Sequence, residues 1–520
     1  MNAWTTYRLQ SAGRAGTVLA VLLSAGCASS SDQIPKNAGL DRARDVFGVG
    51  YDGLSDYYID RLDMRKLTLH GLNGLKTLDP AFGFTADDRQ ITLAHGKSDA
   101  RRIPLPGGDD PHRWARFTSE VVAESRVHFA ALKDASSEAI YKAVFEAELA
   151  DLDAFSRYSS ADSARQSRAS REGFGGIGVT LKIDETGVSI SSVMPETPAS
   201  RAGLRDGDKI VAAEGIILSG MSSPEVLDKL RGPIDSSLKL VIERDGNKMD
   251  VALKRSRIVP ATVLVKHEGS AAHVRLTGFN QRTAKQVEEA VDAAIKNHGP
   301  GLKGMILDLR GNPGGLLDQA VYVADLFLNE GTILATEGRH PRAKQSYRAT
   351  NGDIAHGLPM VVLINGGSAS AAEIVAAALQ DNHRAVVIGS TSYGKGSVQT
   401  VMRLPNDGEM TITWARMQGP SGQHWNRIGV LPSVCTSHHH GDPAALIADL
   451  RRNAPEIGQA FAQRASFIRQ GEAAGAEAAR KACPAKSTET DFELKVAQQL
   501  IEESGLFALA SRQGQIALTP

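Results

Sequence analysis

Between Met360 and Leu404 the spacing of apolar positions changes repeatedly, and each change predicts a boundary between elements. The run Met360, Val361, Val362, Leu363, Ile364 is apolar without interruption, as in a strand buried on both faces. It meets the turn sequence Asn365-Gly366-Gly367-Ser368-Ala369-Ser370, after which Ala371 to Gln380 carries a helical pattern. Arg384 to Ile388 predicts another strand, Gly394-Lys395-Gly396 a loop, and Ser397 to Val401 an alternating strand. Ser370 thus stands at a strand-to-helix junction, where a hydroxyl either caps the helix or is presented as a nucleophile. Lys395 and Gln399, four apart on an extended chain, are expected to face the same way, so a serine, a lysine and a polar amide can meet.

The same reading divides the rest of the chain. Residues 41–170 are helical in flavour, with a polar interruption from Lys97 to Asp110. From Gly173 the texture turns to short strands: Phe174-Gly175-Gly176-Ile177-Gly178-Val179 opens it and Ala202-Gly203-Leu204-Arg205-Asp206-Gly207-Asp208 follows. A helix from Ser223 to Leu230 then ends at Gly232-Pro233, and a strand from Leu238 to Glu243 closes at Asp245-Gly246. This order resembles a PDZ module over residues 171–258. Its glycine-rich opening, Phe174 to Val179, leaves backbone N–H groups free to cradle a carboxylate, beside a strand edge and helix that form a groove for an extended peptide. In residues 259–434 strands such as Ala272–Leu276 and Met305–Leu309 alternate with helices such as Thr283–Lys296 and Leu316–Leu328, which predicts an α/β core. Residues 435–520 are read as a C-terminal helical region.

Charge narrows the partners. With 59 basic and 59 acidic residues the chain has no net charge, which argues against nucleic acid and against electrostatic membrane binding. Arg8 and Arg14, the apolar run Val18 to Leu23, and Ser24-Ala25-Gly26-Cys27 form a secretory leader too short to span a bilayer. Its end resembles a bacterial lipoprotein signal, giving a signal peptide over residues 1–26, lipidation at Cys27 and a polar tether over residues 27–40. Leu23 lies one place further from the cysteine than usual, and the alternative is a soluble periplasmic protein cut near Ala25 or Ala28. Cys435 and Cys483 are an even pair in a compartment that permits a disulfide, and we expect them to be bonded.

The chemistry of the serine depends on a base. Lysine serves only when neutral, and lowering its pKa from ~10.4 to ~7–8 requires burial. Lys395 has Tyr393 and Val398 as apolar neighbours, flexible Gly394 and Gly396 on either side, and no acid within eight residues. Gln399 can hold the lysine nitrogen without adding charge. The oxyanion needs N–H donors, expected from Ala371 at the helix start and from Gly314 or Gly315.

Other readings compete. Gly389 to Lys395 spells a phosphate-binding loop, but Gly396 replaces its magnesium-ligating hydroxyl and a strand follows instead of a helix. Gly311-Asn312-Pro313-Gly314-Gly315 mimics a trypsin-like nucleophile loop with proline in the serine's place. Gly48 to Gly53 spells a dinucleotide fingerprint without a preceding strand, and His438-His439-His440 lack the spacing of a metal site. A non-catalytic PDZ scaffold, with Ser370 a mere cap, is the remaining alternative.

Asn365 to Ile374 followed by Tyr393-Gly394-Lys395-Gly396-Ser397-Val398-Gln399-Thr400 resembles the carboxyl-terminal processing peptidases, or tail-specific proteases, of peptidase family S41. The likeness extends through Phe279 to Ala284, Leu307 to Gly315 and Pro420 to Pro432. It implies a multidomain α+β and α/β fold: a serine protease core of ClpP- or crotonase-like strand and helix layers, an inserted PDZ domain, and helical N- and C-terminal regions. It further implies Ser370 as nucleophile, Lys395 as general base, Gln399 as the residue orienting the lysine, and no cofactor or metal. Implied partners are proteins or peptides with free, apolar C-termini, and an adaptor lipoprotein and a homo-oligomer are compatible with it. Ala372 replaces a serine common in the family, and the segment carrying Cys435, the histidines and Cys483 is an insertion before the family's closing helix.

Overall fold

The computed structural model describes residues 38–95, 99–350, 352–439, 441–452 and 472–516. Cys27, the leader and most of the tether lie outside the described residues. In the N-terminal region the helices Ala38–Tyr57, Met64–Asn73, Pro111–His128 and Ser137–Ala150 bury Phe47, Tyr51, Leu72, Trp114 and Phe145 in one cluster. The polar interruption contributes Asp99–Pro104 to a three-stranded antiparallel sheet whose other strands, Phe84–Ala86 and Gln90–His95, lie just before it. Its buried Ile91, Leu93 and Ile103 alternate with polar residues over runs too short to stand out from their charged surroundings.

This region reaches into the core. Arg157–Ser159 pairs antiparallel with Glu409–Gln418, and Leu404, Met410 and Ile412 complete the helical cluster from the core side. The loop before Arg157 is thereby brought to the protease site. Next, Ala161–Glu172 is pinned to the core by Arg168 and Arg171, which both donate to the buried carboxylate of Glu409 at 2.8 and 3.0 Å.

The PDZ sheet runs in the order Asn247–Lys254, Ser237–Arg244, Lys209–Ala213, Gly187–Val193, Val179–Asp184, which leaves Val179–Asp184 as an edge strand. Phe174–Gly176 lies outside that sheet and pairs with Ser256–Ile258, so the two ends of the module lie side by side.

In the core, six strands lie in the order Val263–Glu268, Ala271–Leu276, Gly304–Asp308, Met360–Ile364, Val386–Gly389, Val434–Cys435, parallel apart from the first pairing. Met360, Val362 and Ile364 face a cluster with the helices Thr283–His298, Leu317–Asp325 and Ala371–Asp381. Val361 and Leu363 face the opposite cluster, with Ala444–Arg451, Asp491–Glu502 and Ser504–Ile516. The strand is therefore apolar at every position because both faces are covered. A second sheet carries Gln345–Arg348, Thr332–Glu337, Glu409–Gln418 and Ser397–Arg403, and holds the loop with Lys395 over the start of Ala371–Asp381. Cys435 and Cys483 are joined by a disulfide.

Candidate active site

Ser370 ends the turn after Met360–Ile364 with φ 55° and ψ −113°, a conformation that L-residues adopt rarely and only when their surroundings enforce it. The enforcement is visible. Asn365 Oδ1 accepts from the N–H groups of Gly311 and Gly367, both at 2.9 Å, and Ala369 N donates to Asn312 O at 2.9 Å. Ser368 is fully buried, donating to Leu309 O at 2.8 Å and accepting from Asn365 N at 2.9 Å. Ser368 is thus committed to the turn, whereas Ser370 is half-buried at the helix start.

Glu373 binds the two loops together. Its side chain is fully buried, and Oε2 accepts from Ser370 N at 2.7 Å and from Lys395 N at 2.9 Å. Oε1 accepts from Gly394 N at 2.7 Å and Ser392 Oγ at 2.5 Å. Burial pushes its pKa up, and the four donors pull against that shift. Sequence reading missed this residue, although a serine followed three places on by a glutamate at a helix start is the capping-box signature.

Lys395 is largely buried, although Tyr393, one of its expected apolar neighbours, is 51% exposed to solvent. An apolar partner is Phe155 of the N-terminal region, whose ring centroid lies 5.1 Å from Lys395 Nζ. Desolvation lowers the lysine pKa, the Arg157 guanidinium lowers it further, and Glu373 and Asp153 oppose both. No acid stands near Lys395 in sequence, yet two carboxylates approach it from elsewhere in the chain.

Gln399 also departs from expectation. A bulge between Val398 and Gln399 breaks the strand alternation that was to align it with Lys395. Its Nε2 donates to Ser397 Oγ at 2.8 Å and to Thr413 Oγ1 at 3.3 Å. Among the described residues no hydrogen bond joins the side chains of Ser370, Lys395 and Gln399 to one another. The strand Ser397–Arg403 right after the lysine also leaves no helix for a phosphate-binding loop.

Of the expected oxyanion donors, Gly314 N is already used, donating to Asn312 Oδ1 at 2.9 Å. Gly314 serves instead by close approach: with φ +101°, a Cβ there would stand 2.9 Å from Ser370 Cβ and 3.0 Å from Ala371 N. The N–H groups of Ala371 and Gly315 enter no hydrogen bond among the described residues.

A cavity of about 620 Å³ opens beside Lys395, lined by Leu152 to Phe155, Tyr393, Ser397 and Arg480 among others. Among the described residues no group of three or more His, Cys, Asp or Glu side chains is placed to hold a metal.

In the PDZ module the predicted loop is divided. Phe174, Gly175 and Gly176 form a strand, Ile177 is buried in the module's core, Gly178 turns the chain at φ +84° against Thr197, and Val179 opens the free edge strand. Val179, Leu181 and Ile183 pack half-buried against the core that holds Val226 and Leu230 of Ser223–Leu230, a groove-like apolar stripe. Arg231 was not singled out from the sequence. Its guanidinium carbon lies 4.1 Å from the Phe174 ring centroid, and its Nε is buried without a hydrogen-bond partner.

Comparison with known proteins places these features. Residues 270–436 match the description of peptidase family S41, and residues 189–244 that of a PDZ domain. A carboxy-terminal-processing protease of Bartonella bacilliformis is 38% identical over 324 residues, covering 62% of this chain and 74% of that protein. The carboxy-terminal processing protease CtpA of Bacillus subtilis is 32% identical, covering 54% of this chain and 60% of that protein. A solved photosystem II D1 C-terminal processing protease is 27% identical, covering 71% of this chain and 92% of that chain with a TM-score of 0.36. With a buried-lysine loop and a serine turn held by one carboxylate, and a relative of this identity and coverage, the chain belongs to the carboxy-terminal-processing serine proteases of peptidase family S41 and carries a PDZ domain.

Proposed function

We propose that the chain is an exported endopeptidase that captures free protein C-termini in its PDZ groove and cleaves near them, with Ser370 as nucleophile, Lys395 as general base and Gln399 as the residue that orients the lysine. The observation that carries this reading is the Glu373 carboxylate, which accepts from the backbone of Ser370 and of Lys395 on one oxygen and so couples the positions of the two loops.

In acylation Ser370 Oγ attacks the scissile carbonyl while its proton passes to neutral Lys395 Nζ, which then protonates the leaving amine. Water activated by the same lysine hydrolyses the ester. The oxyanion is received by the N–H groups of Ala371 and Gly315, and losing one such donor typically costs ~3–4 kcal/mol. For this sequence Lys395 must turn from Phe155 towards Ser370, and Gln399 must exchange Ser397 and Thr413 for the lysine. Occupation of the adjoining cavity by substrate is the event that drives both.

In the PDZ module the edge strand Val179–Asp184 accepts an extended peptide by strand addition, its apolar stripe favours apolar C-terminal residues, and Arg231 meets the terminal carboxylate. Export and lipid anchoring at Cys27, facing the periplasm, rest on the leader. The Cys435–Cys483 pairing supports an oxidising compartment.

The test is peptide cleavage by Ser370→Ala and Lys395→Ala proteins, with C-terminal peptide binding measured alongside. Both variants lose cleavage and keep binding; hydrolysis at the wild-type rate by Ser370→Ala protein ends the assignment. Labelling by a serine-reactive probe that disappears in Lys395→Ala protein checks the dyad separately, and palmitate incorporation lost in Cys27→Ser cells checks the anchor.

A further inference from the structure

The inserted segment that ends at Cys483 returns to the protease core beneath both catalytic loops. Thr391 Oγ1 donates to Cys483 O at 2.6 Å, and Ser390 Oγ donates to Lys486 O at 3.1 Å while accepting from Lys486 N at 3.0 Å. These residues lead directly into the loop of Lys395. On the other side, Gly366 N donates to Lys486 O at 2.7 Å and Asn365 Nδ2 to Ser487 O at 3.3 Å, within the turn that presents Ser370. Arg480 adds a bond to Tyr393 O at 2.9 Å.

From Pro484 to Glu489 the chain belongs to no helix or strand, so no ladder of its own holds it in place. Its covalent anchor is the buried disulfide to Cys435, at the end of the edge strand that pairs with Val386–Gly389. On that same side Ser437 Oγ donates to Pro484 O at 2.6 Å and Lys486 Nζ donates to Ser437 O at 2.5 Å, while Arg275 holds Glu489 at the far end. Cys435 lies opposite Gly389, immediately before the residues that the segment grips. The crosslink therefore fixes the segment at the point from which it reaches both loops.

We propose that the stretch from Cys483 to Ser487 is a positioning element of the protease site, and that the Cys435–Cys483 disulfide makes cleavage dependent on oxidation state. The inference rests on the assignment of Ser370 and Lys395. A small dithiol supplies the reducing side: it gives two electrons and two protons to the two cysteine sulfurs, the S–S bond breaks to two thiols, and the dithiol closes to its own disulfide. The freed stretch then no longer holds the Ser370 turn and the Lys395 loop in register. The PDZ groove, on a separate sheet, is untouched.

The experiment compares the full chain oxidised, reduced with dithiothreitol and verified by thiol titration, and reoxidised, at a temperature where circular dichroism shows the fold retained. Expected is a fall in kcat of at least tenfold on reduction, with KM and C-terminal peptide affinity unchanged, a slower reaction with a serine-reactive probe, and recovery on reoxidation. Thr391→Val, which removes one grip while leaving the disulfide intact, lowers kcat in the same sense and decides the matter if the reduced chain unfolds. A kcat unchanged within twofold in both the reduced chain and Thr391→Val, with Ser370→Ala inactive, overturns the positioning role and leaves the nucleophile assignment standing. A fully active Ser370→Ala protein overturns both.

Discussion

The ammonium nitrogen of Lys395 lies 5.1 Å from the centroid of the Phe155 ring, so the helical N-terminal region supplies the apolar wall of the lysine's pocket. The same loop brings Arg157, whose charge disfavours the ammonium, and Asp153, whose charge favours it. With Lys395 as the proposed base, cleavage requires the neutral amine, and a lowered pKa places the rise of activity with pH below the ordinary lysine range near ~10.4. Replacing Arg157 by Gln removes a repulsion on the ammonium, so the rise moves to higher pH. On the rising limb, activity at fixed pH falls about tenfold for each unit of that movement. A pH profile of kcat/KM for the two proteins checks the direction; a move to lower pH would contradict it.

Glu373 presents acceptors to four donors inside the protein. Glu373→Gln keeps the shape but turns an amide towards N–H groups that need an acceptor. Leaving one such buried donor unmatched costs about 1–3 kcal/mol. The expected outcome is a lower thermal midpoint together with reduced cleavage. Full activity in Glu373→Gln protein would show that the two loops hold their places without it.

Gly314→Ala puts a methyl against the Ser370 turn, 2.8 Å from Ala369 O, at a backbone angle that disfavours alanine. If Ala371 N is an oxyanion donor as proposed, displacing it costs roughly 10²-fold or more in kcat. Steady-state kinetics separate this from binding: kcat falls, while KM is expected to stay near the wild-type value.

Arg231→Ala removes the cation placed over Phe174. A hydrogen bond to a charged group contributes about 1.5–3 kcal/mol, so the affinity for a peptide with a free C-terminal carboxylate falls by roughly 10- to 100-fold. Fluorescence anisotropy with a labelled peptide and its C-terminally amidated twin is the check. Loss for the free acid alone is expected, and equal loss for both would point to a packing role.

The strand from Met360 to Ile364, the helix start at Ala371 and the helix Ser223–Leu230 were legible because local pattern and turn chemistry agree there with the tertiary structure. Ser370 was marked by its place at the helix start, and the structure adds that the neighbouring Ser368 is consumed by Leu309 and Asn365. The present bonding of Gln399 to Ser397 and Thr413 could not be read from the sequence, because a bulge between Val398 and Gln399 interrupts the strand alternation without leaving any mark on the apolar pattern. Asp153, Phe155 and Arg157 were invisible as site residues, since nothing local announces that a loop between a helix and a three-residue strand will be laid against a lysine far along the chain. The gripping stretch after Cys483 was likewise unreadable: most of its contacts run through backbone atoms, which any sequence supplies.

The pairing of Phe174–Gly176 with Ser256–Ile258 makes the peptide-binding module enter and leave the protease by one doorway, closed by Gly173 at φ +87° against Ile258 O. A module hung in this way can be exchanged by cutting and rejoining the chain at two adjacent points. A change within the PDZ module can therefore leave the fold of the protease core as it is.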